Sequence, residues 1–145
     1  MAQLEWANPQ KVASIILWHD LAEVRLWDIH WLGAKYVPEK KHIEERIMKD
    51  QTGELPMQES ILSLVSEYNM LSTIEWKVAK DADILDQAYQ CKTYLEQGHS
   101  LMATYLGNFA DRLHTESAKK MYQEILISNS HEWLLHHERR GYAKN

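Results

Sequence analysis

Cysteine is almost missing from this chain of 145 residues, and the single Cys91 excludes an internal disulfide. Its place beside Ala88 and Leu95 in a helical pattern makes it a packed thiol rather than a reactive one. Glycine and proline are scarce, five and three, while Leu, Ala, Glu, Lys, Gln and Met abound, which argues for helices joined by short turns. The N-terminus lacks the basic start and long apolar run of a signal peptide. Nor does any apolar stretch approach the ~18 residues that span a bilayer, so a cytoplasmic protein with no membrane partner is expected. A basic surplus is lacking too: 16 basic against 21 acidic side chains leave a formal charge of −5. That balance argues against a nucleic-acid polymer as partner, since such binding rests on clustered Lys and Arg.

What is present points to an all-α fold, a helical bundle in one domain over residues 1–145. Asn8-Pro9 reads as a helix start, and Val12, Ile15, Ile16 and His19 follow at three- and four-residue spacing, which carries His19 inward. Pro38-Glu39 opens a helix that Gly53 closes as a left-handed cap. Its charge run from Glu39 to Arg46, His42 included, is a solvated face. Pro56 starts another helix, with Ile61, Leu62, Leu64 and Val65 as the buried stripe. Ser72 and Glu75 have capping-box spacing at the head of a long helix that ends near Gln97-Gly98. On it Ile74, Val78, Asp81, Leu85 and Ala88 line one face, and Trp76, Ala79, Asp83 and Gln90 lie round the side. Residues 101–140 supply a short helix around Met102–Arg112 and a last one from Thr115, whose Met121, Ile125, Leu126, Trp133 and Leu134 pack back on the domain. The tail His136–Arg140 is polar and is not read as a metal site. Six tryptophans need large buried surfaces and partners for their indole nitrogens, which places several at the core's edge or around a pocket.

The stretch from Leu17 to His30 concentrates two imidazoles and three carboxylates in a largely apolar setting. His19 and Asp20 are adjacent, so on a regular helix they point roughly 100° apart and can grip one ion only if the helix ends or bends there. Glu23 follows at i+4 and i+3 and shares a face with both. An imidazole beside a carboxylate suits a first-row divalent ion, and a second carboxylate one turn on can handle a proton from bound water. By itself such a pair is equally a helix end whose polar groups cap and hydrate. Trp27 and Trp31 either wall a pocket or fill the core. His30 is a fourth ligand, a partner for Asp28 or a solvated loop residue.

His19, Asp20, Glu23 and Asp28, taken with Lys80 and Asp83 far down the chain, resemble the HD-domain metal-dependent phosphohydrolases, in particular the branch that includes 5′-deoxynucleotidases. The resemblance runs from about residue 5 to about residue 97, with the helices of 101–140 packed on that part. It implies a divalent metal ion, with Mn, Co, Mg, Fe and Zn not distinguished, held by His19, Asp20 and Asp83. Glu23 becomes the general acid or base, and Asp28 orients substrate or the attacking water. Periodicity alone favours Asp81 as the inward carboxylate of the long helix; the family register, keyed on Lys80, favours Asp83. The family carries a further His and a phosphate-holding Arg on an earlier helix, and none of the eighteen residues before His19 is His or Arg. The chain therefore reads as a member that begins one helix late, short of a metal ligand. Its Val12, Ile15 and Ile16 stripe would be partly uncovered, and a homodimer is expected. Arg25, Lys35 and Lys80 are the substitutes for the missing Arg, and Trp27 and Trp31 would meet the rest of the substrate. The function implied is hydrolysis of a nucleoside monophosphate or another small phosphate ester; the alternative is a non-catalytic, HD-like helical interaction or dimerisation module. Family members usually have Gly where Trp27 stands.

Overall fold

The Asn8 side-chain oxygen accepts from the backbone N–H groups of Gln10 and Lys11 at 3.0 and 3.2 Å, and Pro9 needs no partner for an N–H it lacks, so helix α1 (Pro9–Trp18) starts where the sequence places it. The computed structural model describes residues 1–132 apart from Ser72 and the side chain of Trp31. Short helices α2 (Glu23–Leu26) and α3 (Trp31–Ala34) follow, then α4 (Lys40–Thr52), α5 (Gln58–Met70), the long α6 (Ile74–Glu96), α7 (Met102–Leu106) and α8 (Glu116–Ile127). Single 3-10 turns occupy Ala2–Glu5 and Ala110–Arg112. The fold is all-α, with no strand among the described residues. None of the described helices is long and apolar enough to cross a membrane.

The chain divides into two compact units, Trp6–Ala79 with Ala2, and Lys80 onward with Met1 and Gln3–Glu5, the division falling inside α6. In the first unit α1 packs on α5 and α4 on α5. Met48, Ile61 and Ala22 form a core joined by Trp18, Leu21, Ile47, Leu62 and Val65. Of the Val12, Ile15 and Ile16 stripe, Val12 and Ile15 are buried and Ile16 is half-buried. The acidic side chains of this unit tie the start of α1 to the turn before α6. Glu67 accepts from Thr73 Oγ1 at 2.6 Å and pairs with Lys11 Nζ at 2.8 Å, and Glu75 accepts the Asn8 N–H at 3.0 Å. Burial pushes the Glu67 carboxyl up, but Lys11 and Thr73 outweigh it and hold the group below the ordinary range.

In the second unit Ile84, Leu85 and Ala88 of α6 pack with Leu106, Phe109, Leu113, Ala118 and Tyr122. Cys91 sits against this core, and burial raises its thiol, in line with a packed rather than a reactive group. Asp81 is fully buried, and it is an anchor. Its Oδ1 accepts from the backbone N–H of His114 at 2.8 Å and lies 2.9 Å from the His114 ring Nδ1, while Oδ2 accepts from Thr115 N and Thr115 Oγ1 at 2.8 and 2.6 Å. Thr115 Oγ1 in turn accepts the Ala118 N–H at the head of α8, and Glu5 accepts the Ser117 N–H at 2.8 Å, so two carboxylates serve the positive end of that helix.

Several local expectations are corrected. Gly53 has φ −57°, ψ −31°, not a left-handed cap, and a Cβ there would make a tight contact of 3.3 Å with the Lys49 carbonyl oxygen. Among the described residues Gly98 is the glycine with positive φ: with His99 N–H on Tyr94 O and Gly98 N–H on Leu95 O, it closes α6 in a Schellman motif. Ser72 lies outside the described residues, and Thr73 Oγ1 accepts the Trp76 N–H at 3.1 Å in the capping role. Ile74, the first residue of α6, is exposed, while Trp76 and Ala79 are buried along with Val78 and Asp81, so this stretch of the helix is covered on more than one side. The expected helix over Met102–Arg112 breaks after Leu106 into a 3-10 turn. Met121 points outward, and Ala118 and Tyr122 take its place in the core. Trp133, Leu134 and the His136–Arg140 tail lie outside the described residues.

Replacing Asp81 with Ala removes the acceptor from four donors at once, and we expect it to lower unfolding stability by about 3 kcal/mol or more in urea titrations followed by circular dichroism. A change below about 1 kcal/mol would show that water replaces the carboxylate and that the head of α8 does not depend on it.

Candidate metal and catalytic site

Helix α1 ends at Trp18, and the backbone then tightens: Leu21 N–H bonds to Trp18 O at 3.2 Å and Glu23 N–H to Asp20 O at 2.9 Å, both i to i−3. That change of winding lets neighbouring side chains converge. His19 Nε2 and Asp20 Oδ2 lie 2.9 Å apart, with the His19 side chain only 10% exposed and Asp20 largely open. The other face of the imidazole is fixed twice. Nδ1 is 2.8 Å from the Ile16 carbonyl oxygen, and the Tyr68 ring meets His19 edge-on with centroids 4.8 Å apart.

This pair fits a divalent ion on the chemistry of its donors. A carbonyl oxygen can only accept, so Nδ1 carries a proton, and in the neutral form of the ring Nε2 presents a lone pair. A second lone pair, on Asp20 Oδ2, faces it. Two lone pairs at this distance repel unless a positive charge is shared between them, either a proton on Nε2 or a cation. Two donors at right angles around an ion, each at about 2.1 Å, stand about 3.0 Å apart, close to the separation found. A ligand imidazole that gives its other N–H to a backbone carbonyl is also the usual arrangement. Among the described residues no group of three or more His, Cys, Asp or Glu side chains is gathered as a metal site.

Glu23 opens α2 and lies partly buried near this pair. Burial raises its carboxyl above the ordinary range, the charges of Asp20 and Asp28 add to the shift, and Lys40, with Nζ 3.9 Å from Glu23 Oε1, opposes it. Lys40 also pairs with Glu44 at 3.1 Å. Neither Lys40 nor Tyr68 was a candidate from sequence, since Lys40 lies in a charge run that reads as solvated and Tyr68 carries no local signal. Beside His19 the first unit has a cleft of about 330 Å³, floored by Ala22, Met48, Leu62 and Val65 and edged by Asn69 and Lys41.

The remaining candidates have diverse settings. Arg25 is engaged by Asp50 in an ion pair. Asp28 and Lys35 are exposed, Lys35 at the end of α3. His30 is an exposed loop residue, one of the three alternatives drawn from sequence, and its Nδ1 accepts the Leu32 N–H at 3.2 Å at the head of α3. Trp27 is 81% exposed, so it does not fill the core. Trp31 opens α3, and its side chain lies outside the described residues. In the second unit Asp83 accepts from Lys80 Nζ at 2.8 Å and from Gln87 Nε2 at 3.0 Å, so the Lys80 and Asp83 of the distal motif pair with each other.

Residues 1–126 match the sequence profile described as HD domain. No curated protein and no solved structure matches the chain.

A carboxyl raised in the folded state favours folding at low pH and loses that contribution as pH climbs through its folded value. Glu23→Gln does not titrate, so in metal-free protein we expect the variant to melt above wild type at neutral pH. The gap should close as pH falls toward the ordinary value of 4.5. Melting curves from pH 4 to 8 check this, and a variant less stable at neutral pH would mean that the Lys40 attraction outweighs burial and repulsion.

Proposed function

The chain belongs to the HD domain family, and from that premise we propose that it is a divalent-metal-dependent phosphohydrolase of the 5′-deoxynucleotidase-like branch, acting on a nucleoside monophosphate or another small phosphate ester. One observation supports this above the others: His19 Nε2 and Asp20 Oδ2 face each other at 2.9 Å while His19 Nδ1 is engaged by Ile16 O. His19 and Asp20 would hold the ion, and the family register assigns Asp83 as a further ligand. When bound, the ion polarises a phosphoryl oxygen and lowers the pKa of a water. Glu23, with its raised carboxyl, takes the proton of the attacking water and returns it to the leaving oxygen. Asp28 orients that water or the ester. Lys35, exposed at the end of α3, is the residue we assign to the phosphate, and Arg25 pairs with Asp50.

The test uses the full chain with manganese or cobalt, reading bound metal by elemental analysis and phosphate release from nucleoside monophosphates. His19→Ala and Asp20→Ala should each weaken metal binding by about 10–100-fold or more. Asp83→Asn should do the same if it is a ligand. Glu23→Gln should keep the metal and lower turnover by about 10²-fold. Wild-type protein that takes up no metal and releases no phosphate would overturn the proposal and leave the non-catalytic interaction module as the better reading.

A further inference from the structure

Trp27 closes α2 with φ 67° and ψ 158°, its N–H bonded to Glu23 O at 2.8 Å. That corner of backbone space is essentially confined to glycine, since a Cβ there crowds its own main chain. Among the described residues two others with side chains have positive φ, Leu71 and Trp6, the latter an exposed indole that no candidate site residue adjoins in the chain. Leu71, at φ 60° and ψ 31°, is in the ordinary left-handed well as a helix cap, which side chains tolerate far better. At Trp27 the strain is not offset by packing, because the residue is 81% exposed. The largest side chain thus stands at a position that suits the smallest one, and it gains almost no burial in the folded chain.

Its place in the site gives that arrangement a use. Trp27 is four residues after Glu23, tied to it through the main-chain hydrogen bond, and directly precedes Asp28. The two carboxylates proposed to act on the ester therefore flank, in the chain, a solvent-facing indole whose backbone is held by that hydrogen bond. An indole face in water binds flat aromatic rings by stacking, and does so with little regard to the ring's polar edge. We propose that Trp27 is a specificity-determining residue, a stacking platform that selects phosphate esters carrying an aromatic ring over aliphatic ones. The inference rests on the phosphohydrolase reading of the same site and narrows its substrate class.

Adenosine 5′-monophosphate and ribose 5-phosphate share the phosphoribosyl group and differ in the ring, so they make the comparison. Phosphate-release kinetics of each ester with manganese-loaded full-length protein should give wild type a preference in kcat/KM for the adenosine ester of about 10-fold, the size of one base–aromatic stack. In Trp27→Gly that ratio should fall to near 1, and Trp27→Phe should retain most of it. Binding of the adenosine ester should quench tryptophan fluorescence in wild type and lose that part of the quench in Trp27→Gly. The glycine variant should melt no lower than wild type, since relief of strain offsets the added flexibility of the unfolded chain. Wild type that hydrolyses both esters equally well, or a glycine variant that keeps the preference, would overturn this inference alone. So would a glycine variant that melts more than about 5 °C lower, because the indole would then be a packing residue. Wild type that hydrolyses neither ester overturns the phosphohydrolase reading and this inference with it.

Discussion

The end of α1 at Trp18 is the constraint on which the candidate site depends. Had the helix continued, His19 and Asp20 would diverge by roughly 100° and could share no ion. Tightening to i, i−3 bonds after Trp18 brings Nε2 and Oδ2 to 2.9 Å instead. The same turn starts α2 at Glu23, so one change in winding sets both the ligand pair and the acid beside it. The interior holds this arrangement from the back: Ile15 is fully buried, Ile16 supplies the carbonyl for His19 Nδ1, and Tyr68 braces the ring from α5.

Two aspartates two residues apart on α6 show how burial assigns different tasks to the same side chain. Asp81 has no exposure and four donors, which is the only affordable way to keep a carboxylate inside a protein. Its work is structural, holding the head of α8. Asp83 lies round the helix, near Lys80 and Gln87, where a lysine partner can be exchanged for another cation. The inward position belongs to the anchor, and Asp83 stands at the margin of the helix.

Glu23 and Trp27 share a different property, in that each is held in a condition that the folded chain alone does not favour. Glu23 is a carboxyl partly removed from water among other carboxylates, and Trp27 is an exposed indole on glycine-type backbone. Departures of this kind cluster at functional sites because the surrounding structure over-determines them. They adjoin each other within one turn of chain.

Much of the helical plan was legible in local sequence, because its causes are local. Asn8-Pro9 and Thr115 cap helices through neighbouring atoms, Gly98 ends α6 through its own backbone freedom, and the all-α class follows from composition. The spacing of His19, Asp20 and Glu23, and the need for a helix break among them, could likewise be read directly. The inward-facing Asp81 was visible in periodicity, but its partners His114 and Thr115, more than thirty residues away, were not. Nor were Tyr68 against His19, Lys40 against Glu23, or Asp50 against Arg25, since exposure and ion pairing depend on which helices meet. The capping of α3 by His30 and the strained backbone of Trp27 also came only with the folded chain: a sequence names the residue at a turn, but dihedral angles are set by the elements the turn must join. Residue type and spacing determined which chemistry this chain can hold, and long-range packing decided which of those groups remain available to use it.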